Sequence, residues 1–327
     1  MEASFYESLE NSKVRCVLCP NYCVIAKGKR GICRIRTNRN GKLYADAYGR
    51  VVSLAIDPVE KKPLYHFYPS KSILSTGPNG CNFRCGFCQN SEISQKEVPT
   101  QYVSPENLAD LASSNGSIGV AYTYTEPFIW FEYIRDTGRV IHNRGMVNVM
   151  VTNGYVNEEP LSELLPLIDA MNIDIKSMRP DFYTKVCGGK LEDVLRTVKI
   201  SSDFCHIEIT NLIIPGYNDT DEDFKKLVDW IYSINPSMPL HFSRYFPRYR
   251  FTEPETPIAT LRHAFEIAKL KLKYVYVGNV SLKDTSDTHC TQCGNILVTR
   301  SYYQVNVSGI KNGTCTSCHS PVDFVGI

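Results

Sequence analysis

Cys81-Asn82-Phe83-Arg84-Cys85-Gly86-Phe87-Cys88 places three cysteines in eight residues, spaced x3 and then x2, just after the apolar run Ser72-Ile73-Leu74-Ser75-Thr76. A tight loop with that spacing turns three thiolates towards one point. Thiolates are soft ligands that select iron–sulfur clusters, zinc or copper(I) over hard cations. A cubane cluster has four irons and the loop supplies three sulfurs, so a cluster held here leaves one iron open to a small molecule. Taken alone, the loop also reads as a zinc knuckle without a nearby fourth ligand, or as a disulfide loop.

The surrounding chain narrows this. Apolar, strand-like runs fall at 73–76, 117–124, 146–151, 170–175, 205–214, 240–244 and 274–277, with helix-like stretches at 105–114, 128–142, 159–166, 191–201, 221–235 and 257–272. Ser104-Pro105 reads as an N-cap followed by proline at the first helical position, and Thr256-Pro257 repeats that signal. Strand–helix alternation over this length predicts a parallel sheet with helical crossovers. Six such units fit an open barrel of the TIM type, an α/β fold whose active site lies at the C-terminal strand ends. The cysteine loop follows the first strand and so lies at that end. Other strands finish in polar groups there: Thr125-Glu126-Pro127, Thr152-Asn153-Gly154, Asp174-Ile175-Lys176, the run Glu208-Ile209-Thr210-Asn211-Leu212-Ile213-Ile214-Pro215-Gly216 and His241-Phe242-Ser243-Arg244.

The 327 residues are ample for one large core with appendages. A net charge of +2 without a long basic block argues against a nucleic-acid surface. The start lacks the basic-then-apolar order of a secretory signal, and no apolar run approaches the ~20 residues of a membrane span. Thirteen cysteines in such a chain point to a reducing, cytoplasmic interior and to metal. Eleven fall into three clusters, and Cys187 and Cys205 stand alone as small core residues.

The expected organisation is a cysteine-rich segment with a connector over 1–69, the barrel over 70–285 and a zinc ribbon over 286–327. Cys290, Cys293, Cys315 and Cys318 form two x2 knuckles joined by a β-rich stretch, the signature of a closed four-sulfur zinc site. His289 and His319 sit beside these ligands and read as exposed neighbours. At the other end, Cys16, Cys19, Cys23 and Cys33 suit either a structural Zn2+ site or a second Fe–S cluster. Base rate favours zinc there, and the three-close-plus-one-distant spacing favours iron. The two cysteine-rich ends are expected to cover the barrel mouth. The proline-rich stretch 57–69 cannot be helical, and its His66 reads as ordinary packing.

The chain resembles the radical S-adenosylmethionine (SAM) member of the AmmeMemoRadiSam group, related to pyruvate formate-lyase and other glycyl-radical-enzyme activating enzymes. The resemblance rests on Cys16-x2-Cys19-Pro20, Asp57-Pro58-Val59-Glu60-Lys61-Lys62-Pro63-Leu64-Tyr65-His66-Phe67, the loop ending Gln89-Asn90, Tyr122-Thr123-Tyr124-Thr125-Glu126-Pro127, Asp174-Ile175-Lys176 and Tyr274-Val275-Tyr276-Val277-Gly278-Asn279. It implies a partial (β/α)6 barrel of the radical SAM type. It implies a [4Fe–4S] cluster on Cys81, Cys85 and Cys88, with Phe87 as the aromatic before the last cysteine. SAM would chelate the open iron, with its amine held at Thr125-Glu126-Pro127 and Asp174 and Lys176 nearby. Thr152 and His241 are the further residues expected to face that cofactor. Tyr124-Thr125 stands where the family has two glycines, and Val151 where activases have an acidic cation ligand. The implied chemistry is reductive SAM cleavage to a 5′-deoxyadenosyl radical, which abstracts hydrogen from a peptide glycine, small molecule or lipid. A ferredoxin- or flavodoxin-type donor and Memo-like and AMMECR-type proteins are the implied partners. The contrasting expectation is a non-catalytic iron–sulfur or zinc protein, an electron carrier or scaffold, which needs no SAM cradle.

Overall fold

A computed structural model describes residues 1–327. Its centre is a sheet of seven parallel strands: Ser72–Gly77, Gly119–Tyr122, Val147–Thr152, Ala170–Asp174, His206–Ile213, Leu240–Arg244 and Val275–Gly278. Each pairs with the next in the chain, as in Ala121 with Ser75 and with Val149, and helices cross between them. Parallel partners in register point to the same face. Outward residues such as Val120, Met150, Met171 and Ile209 therefore join the main core under the helices. Inward residues Ile73, Ala121, Val149 and Ala170 form a small separate cluster inside the barrel.

That inner cluster is filled from outside the parallel strands. Val59, Leu64 and Phe67 belong to it, so the stretch after Pro58 plugs the barrel floor. Asn172 Nδ2 donates to the Pro63 carbonyl at 2.8 Å, and the His66 amide donates to Glu208 Oε1 at 2.7 Å. The preceding residues, Ser53–Pro58, pair antiparallel with Ser72–Gly77 as an eighth strand. The connector expected within 1–69 thus contributes a strand to the sheet expected to begin at 70. Within that strand only Asp57 is buried, so it lacks the apolar periodicity that marks the others. The sheet keeps two free edges, at Ser53–Pro58 and Val275–Gly278.

The Ser104 hydroxyl caps the helix Pro105–Ser114 by accepting from the Asn107 amide. Thr256 does not cap its helix. Its hydroxyl is buried, donating to the Ile213 carbonyl at 2.6 Å and accepting from the Tyr245 amide at 2.8 Å, so it ties two strand ends together.

The N-terminal segment forms a three-stranded sheet and a hairpin, Arg36–Arg39 with Lys42–Ala45. Asn40 and Gly41 both take positive φ in its two-residue turn. Arg36 reaches into the barrel's helical layer and makes a two-pronged pair with Glu132, at 3.0 and 2.7 Å, both side chains being 1% exposed. Arg34 donates to the carbonyls of Ser94 and Gln95, just beyond the cysteine loop. This end packs at the mouth.

The C-terminal end does not. Residues 322–325 lie beside Ile207, Met238 and Pro239, at the starts of the strands. Phe324 stacks on His66 at 4.3 Å, and Arg300 donates to the Tyr65 carbonyl at 2.7 Å. The expectation that both cysteine-rich ends cover the mouth is corrected here: the C-terminal one closes the floor.

Candidate active site at the barrel mouth

A cavity of about 460 Å³ opens where the parallel strands end. Cys81, Cys85, Phe87 and Cys88 border it, as do Thr125, Glu126, Thr152, Asp174 and Lys176. Of the ten residues named around the cluster and SAM, these nine line the cavity and His241 does not. His241 lies near the start of its strand, buried, with Nε2 at 2.6 Å from Glu208 Oε2 and its ring edge-on to Tyr65. Its placement beside the cofactor is corrected. Ser243, two residues on and on the same face, borders the cavity instead.

The loop's sulfurs meet directed donors. The Phe83 amide approaches Cys81 Sγ at 3.3 Å and Asn153 Nδ2 approaches it at 3.7 Å. Ser94 Oγ lies 3.1 Å from Cys88 Sγ. Cys187, expected to be a plain core residue, is buried beside Cys85 and favours its ionisation by hydrogen bonding. Burial pushes the Cys81 and Cys88 thiols up, so these sulfurs ionise readily only against a positive partner. Gly86 is required by close packing: a Cβ there would meet Phe251 at 2.5 Å. Phe87 lies against Phe182 and Phe251, with the Lys176 ammonium 5.8 Å from its ring.

Glu126 is held by three donors. Its Oε1 accepts from the Phe128 amide at 3.0 Å and from the Thr152 hydroxyl at 2.6 Å, and its Oε2 from the Asn153 amide at 2.8 Å. A carboxylate offers about four acceptor positions. One on Oε2 is left over, and the residue borders the cavity. Burial pushes its carboxyl up to about 7 despite these bonds. Lys176 Nζ donates to Asp174 Oδ2 at 2.8 Å. Burial opposes the lysine charge, but Asp174 and the thiols of Cys85 and Cys187 hold it well above its ordinary value.

Tyr124 takes φ of +71°, the left-handed region that glycine favours, at the place where the family pattern has glycines. Its hydroxyl donates to Asp57 Oδ2 at 3.1 Å, and the Thr125 hydroxyl donates to the Pro78 carbonyl at 2.9 Å. Lys61 and Lys62 rise from the plug to border the cavity from below, both bonded to Asp57. Sequence reasoning missed these lysines, Asn153 and Ser94. Asn153 had a signal, the Thr152-Asn153-Gly154 strand end; the lysines stood inside the Asp57–Phe67 motif, but a proline-rich stretch reads as linker.

The other cysteine sets are separate. Cys290, Cys293, Cys315 and Cys318 bring their sulfurs within 4.8 Å of one another, with Cys290–Cys318 at 3.6 Å and Cys293–Cys315 at 3.7 Å. His289 and His319 are exposed and lie outside this group. Cys16, Cys19, Cys23 and Cys33 border one closed hollow near the mouth.

Comparison with known proteins agrees with this geometry. The family model described as the radical SAM superfamily matches residues 76–231. An uncharacterised protein of Methanocaldococcus jannaschii is 45% identical, covering 99% of each chain. The pyruvate formate-lyase-activating enzyme of Staphylococcus epidermidis is 25% identical over 48% of this chain and 67% of its own length. The crystal structure of a radical SAM methyltransferase from Sphaerobacter thermophilus superposes with a TM-score of 0.50 at 14% identity, over 64% of this chain and 67% of that one. With a parallel α/β sheet and a three-cysteine loop on its first parallel strand, residues 76–231 carry a domain of the radical SAM type.

Proposed function

We propose that the protein is a radical SAM enzyme of the activating-enzyme type, with Cys81, Cys85 and Cys88 as the protein ligands of a [4Fe–4S] cluster. The observation that carries this is the convergence of three thiols, Glu126 and the Asp174–Lys176 pair on one cavity. The residues fit the group: the thiols of Cys81 and Cys88 need a positive partner to ionise, and Glu126 keeps an unused acceptor at the same cavity. When bound, the cluster and SAM supply one-electron cleavage of SAM to a 5′-deoxyadenosyl radical, which takes a hydrogen atom from the substrate. The chain's own part is to bind and to exclude water. Glu126 accepts from the amine of SAM, and Lys176 offers a cation for its carboxylate. Thr152 and Thr125 hold the strand ends that shape this pocket. Asn153, Ser94 and the Phe83 amide point donors at the loop sulfurs, which sets the potential of a cluster held there. The plug seals the floor, so a reactive centre at the mouth is shielded from that side.

The finer reading follows the motifs. The chain is the radical SAM component of the AmmeMemoRadiSam system, acting in the cytoplasm with Memo-like and AMMECR-type proteins and a ferredoxin- or flavodoxin-type donor. The barrel unit runs from 53 to 285, and the 286–327 ribbon holds Zn2+, because its sulfur spacing suits one tetrahedral ion.

The test is anaerobic reduction with dithionite in the presence of SAM, followed by chromatography for 5′-deoxyadenosine. The expected result is 5′-deoxyadenosine from the native protein and none after Cys81→Ala, Cys85→Ala or Cys88→Ala. Cleavage that persists in any of the three sinks the ligand assignment. A native protein that binds iron yet never cleaves SAM is an electron carrier instead.

A further inference from the structure

The N-terminal cysteines offer a site that the active-site reading does not use. Cys16, Cys19 and Cys33 are buried and Cys23 is partly so; all four border a single hollow of about 10 Å³. Leu18, Ile25 and Ile129 supply much of the remaining lining. Four sulfurs around one zinc lie about 2.3 Å from the metal, hence roughly 3.8 Å apart, and leave no room for even a water-sized sphere between them. The ribbon has that spacing, at 3.6 and 3.7 Å. It is the one group of three or more Cys, His, Asp and Glu ligand atoms lying within 4.8 Å of one another. The N-terminal four therefore stand further apart than one ion requires, around a space that admits about one probe sphere. Cys81, Cys85 and Cys88 share this wider spacing. The x2, x3 and then distant pattern of 16, 19, 23 and 33 is also a cluster-type spacing.

The hollow adjoins the active-site loop. Asn82 borders it, and Asn21 Nδ2 donates to the Asn82 carbonyl at 2.9 Å. Asn82 Oδ1 accepts from Asn153 Nδ2 at 2.9 Å, and the same Nδ2 approaches Cys81 Sγ at 3.7 Å. The Cys33 carbonyl packs so tightly on Gly80 that a Cβ there would lie 2.3 Å from it. Two hydrogen-bonded residues, Asn82 and Asn153, thus link the hollow to a sulfur of the loop.

We infer that Cys16, Cys19, Cys23 and Cys33 hold a second iron–sulfur cluster that relays electrons to the active-site cluster. In each relay step a low-potential ferredoxin- or flavodoxin-type donor is oxidised by one electron, the second cluster is reduced, and the electron passes on to the active-site cluster. The relay rests on the active-site reading above; the presence of the cluster does not.

The test uses full-length protein reconstituted anaerobically with ferrous iron and sulfide. The Cys81→Ala/Cys85→Ala/Cys88→Ala variant is expected to retain about four irons and a cluster signal in Mössbauer spectra. The Cys16→Ala/Cys19→Ala variant should lose about four irons while keeping the SAM-responsive cluster. Cys23→Ser, at the partly exposed ligand, makes the same comparison with less disturbance of folding. Zinc in place of that iron in the triple variant overturns the proposal. For the relay, the Cys16→Ala/Cys19→Ala and Cys23→Ser variants should lose SAM cleavage driven by flavodoxin but keep cleavage driven by dithionite. Undiminished flavodoxin-driven cleavage overturns the relay. Absence of 5′-deoxyadenosine from the native protein under dithionite refutes the active-site reading instead, and leaves the iron counts to decide the cluster.

Discussion

Glu126 at the mouth and Glu208 near the floor are buried carboxylates inside one barrel, 1% and 0% exposed, and their surroundings push them in opposite directions. Glu126 meets only neutral donors, and burial wins, lifting its carboxyl up to about 7. Burial acts on Glu208 as well, but the side chains of His206 and His241 overcome it and hold the carboxyl well below the usual range. The His66 amide adds a further bond to Glu208. A carboxylate whose partners are complete is part of the scaffold. One left short of a positive partner is poised for a ligand that brings the charge.

The sharpest way to break this comparison is to remove each carboxylate's charge. Glu208→Gln leaves histidines facing an amide in a closed interior, and should cost about 3–5 kcal/mol in denaturant unfolding. Glu126→Gln sets an amide N–H against one existing donor, a loss of about 1–3 kcal/mol. Its main effect should be weaker SAM binding with the cluster's visible absorbance intact. Equal stability losses would mean that Glu126 is scaffold too.

Acidity separates the pair next. A raised carboxyl favours the folded state at low pH, and that contribution is lost as pH rises from 4.5 towards about 7. Glu208 works the other way, its contribution present above the ordinary carboxylate value and lost on acidification. His66, lowered by burial to about 3, likewise costs stability as pH falls below 6.5. Binding of SAM at Glu126 should tighten as pH rises from 6 towards about 7 and the carboxyl ionises. Titration calorimetry with SAM on the native protein and on Glu126→Gln checks this; a parallel pH response in the variant removes Glu126 as the cause. The smallest effect is expected from Tyr124→Phe, which deletes one bond to Asp57 and should cost about 0.5–1.5 kcal/mol.

Much of the barrel was legible because strands buried on both faces carry continuous apolar runs. All seven parallel strands fall where those runs lie. The edge strand Ser53–Pro58 was not legible, since its pairing is specified by position and hardly at all by side chains. The plug was hidden for a related reason. Pro58 and Pro63 leave room only for the short 3-10 turn Val59–Lys61, and nothing local says that the segment turns into a barrel rather than across its surface. At the site, polar residues at strand ends marked the right rim for Glu126, Thr152, Asp174 and Lys176. His241 misled because alternation sets a side chain's face and leaves its depth open. Thr256 misled because a buried hydroxyl can bridge strands as readily as it caps a helix.

The plug has a kinetic side. His66 Nε2 lies 2.6 Å from the Tyr276 hydroxyl and Nδ1 lies 2.6 Å from the Asp323 carbonyl, partners 210 and 257 residues further along the chain. Contacts of such sequence separation form slowly and late. The floor meets its last partners only once residue 323 has been made, so the earliest strands wait beside an unfinished interior until then. Closure of the floor is therefore paced by residues 276–323, far along the chain from the plug they hold.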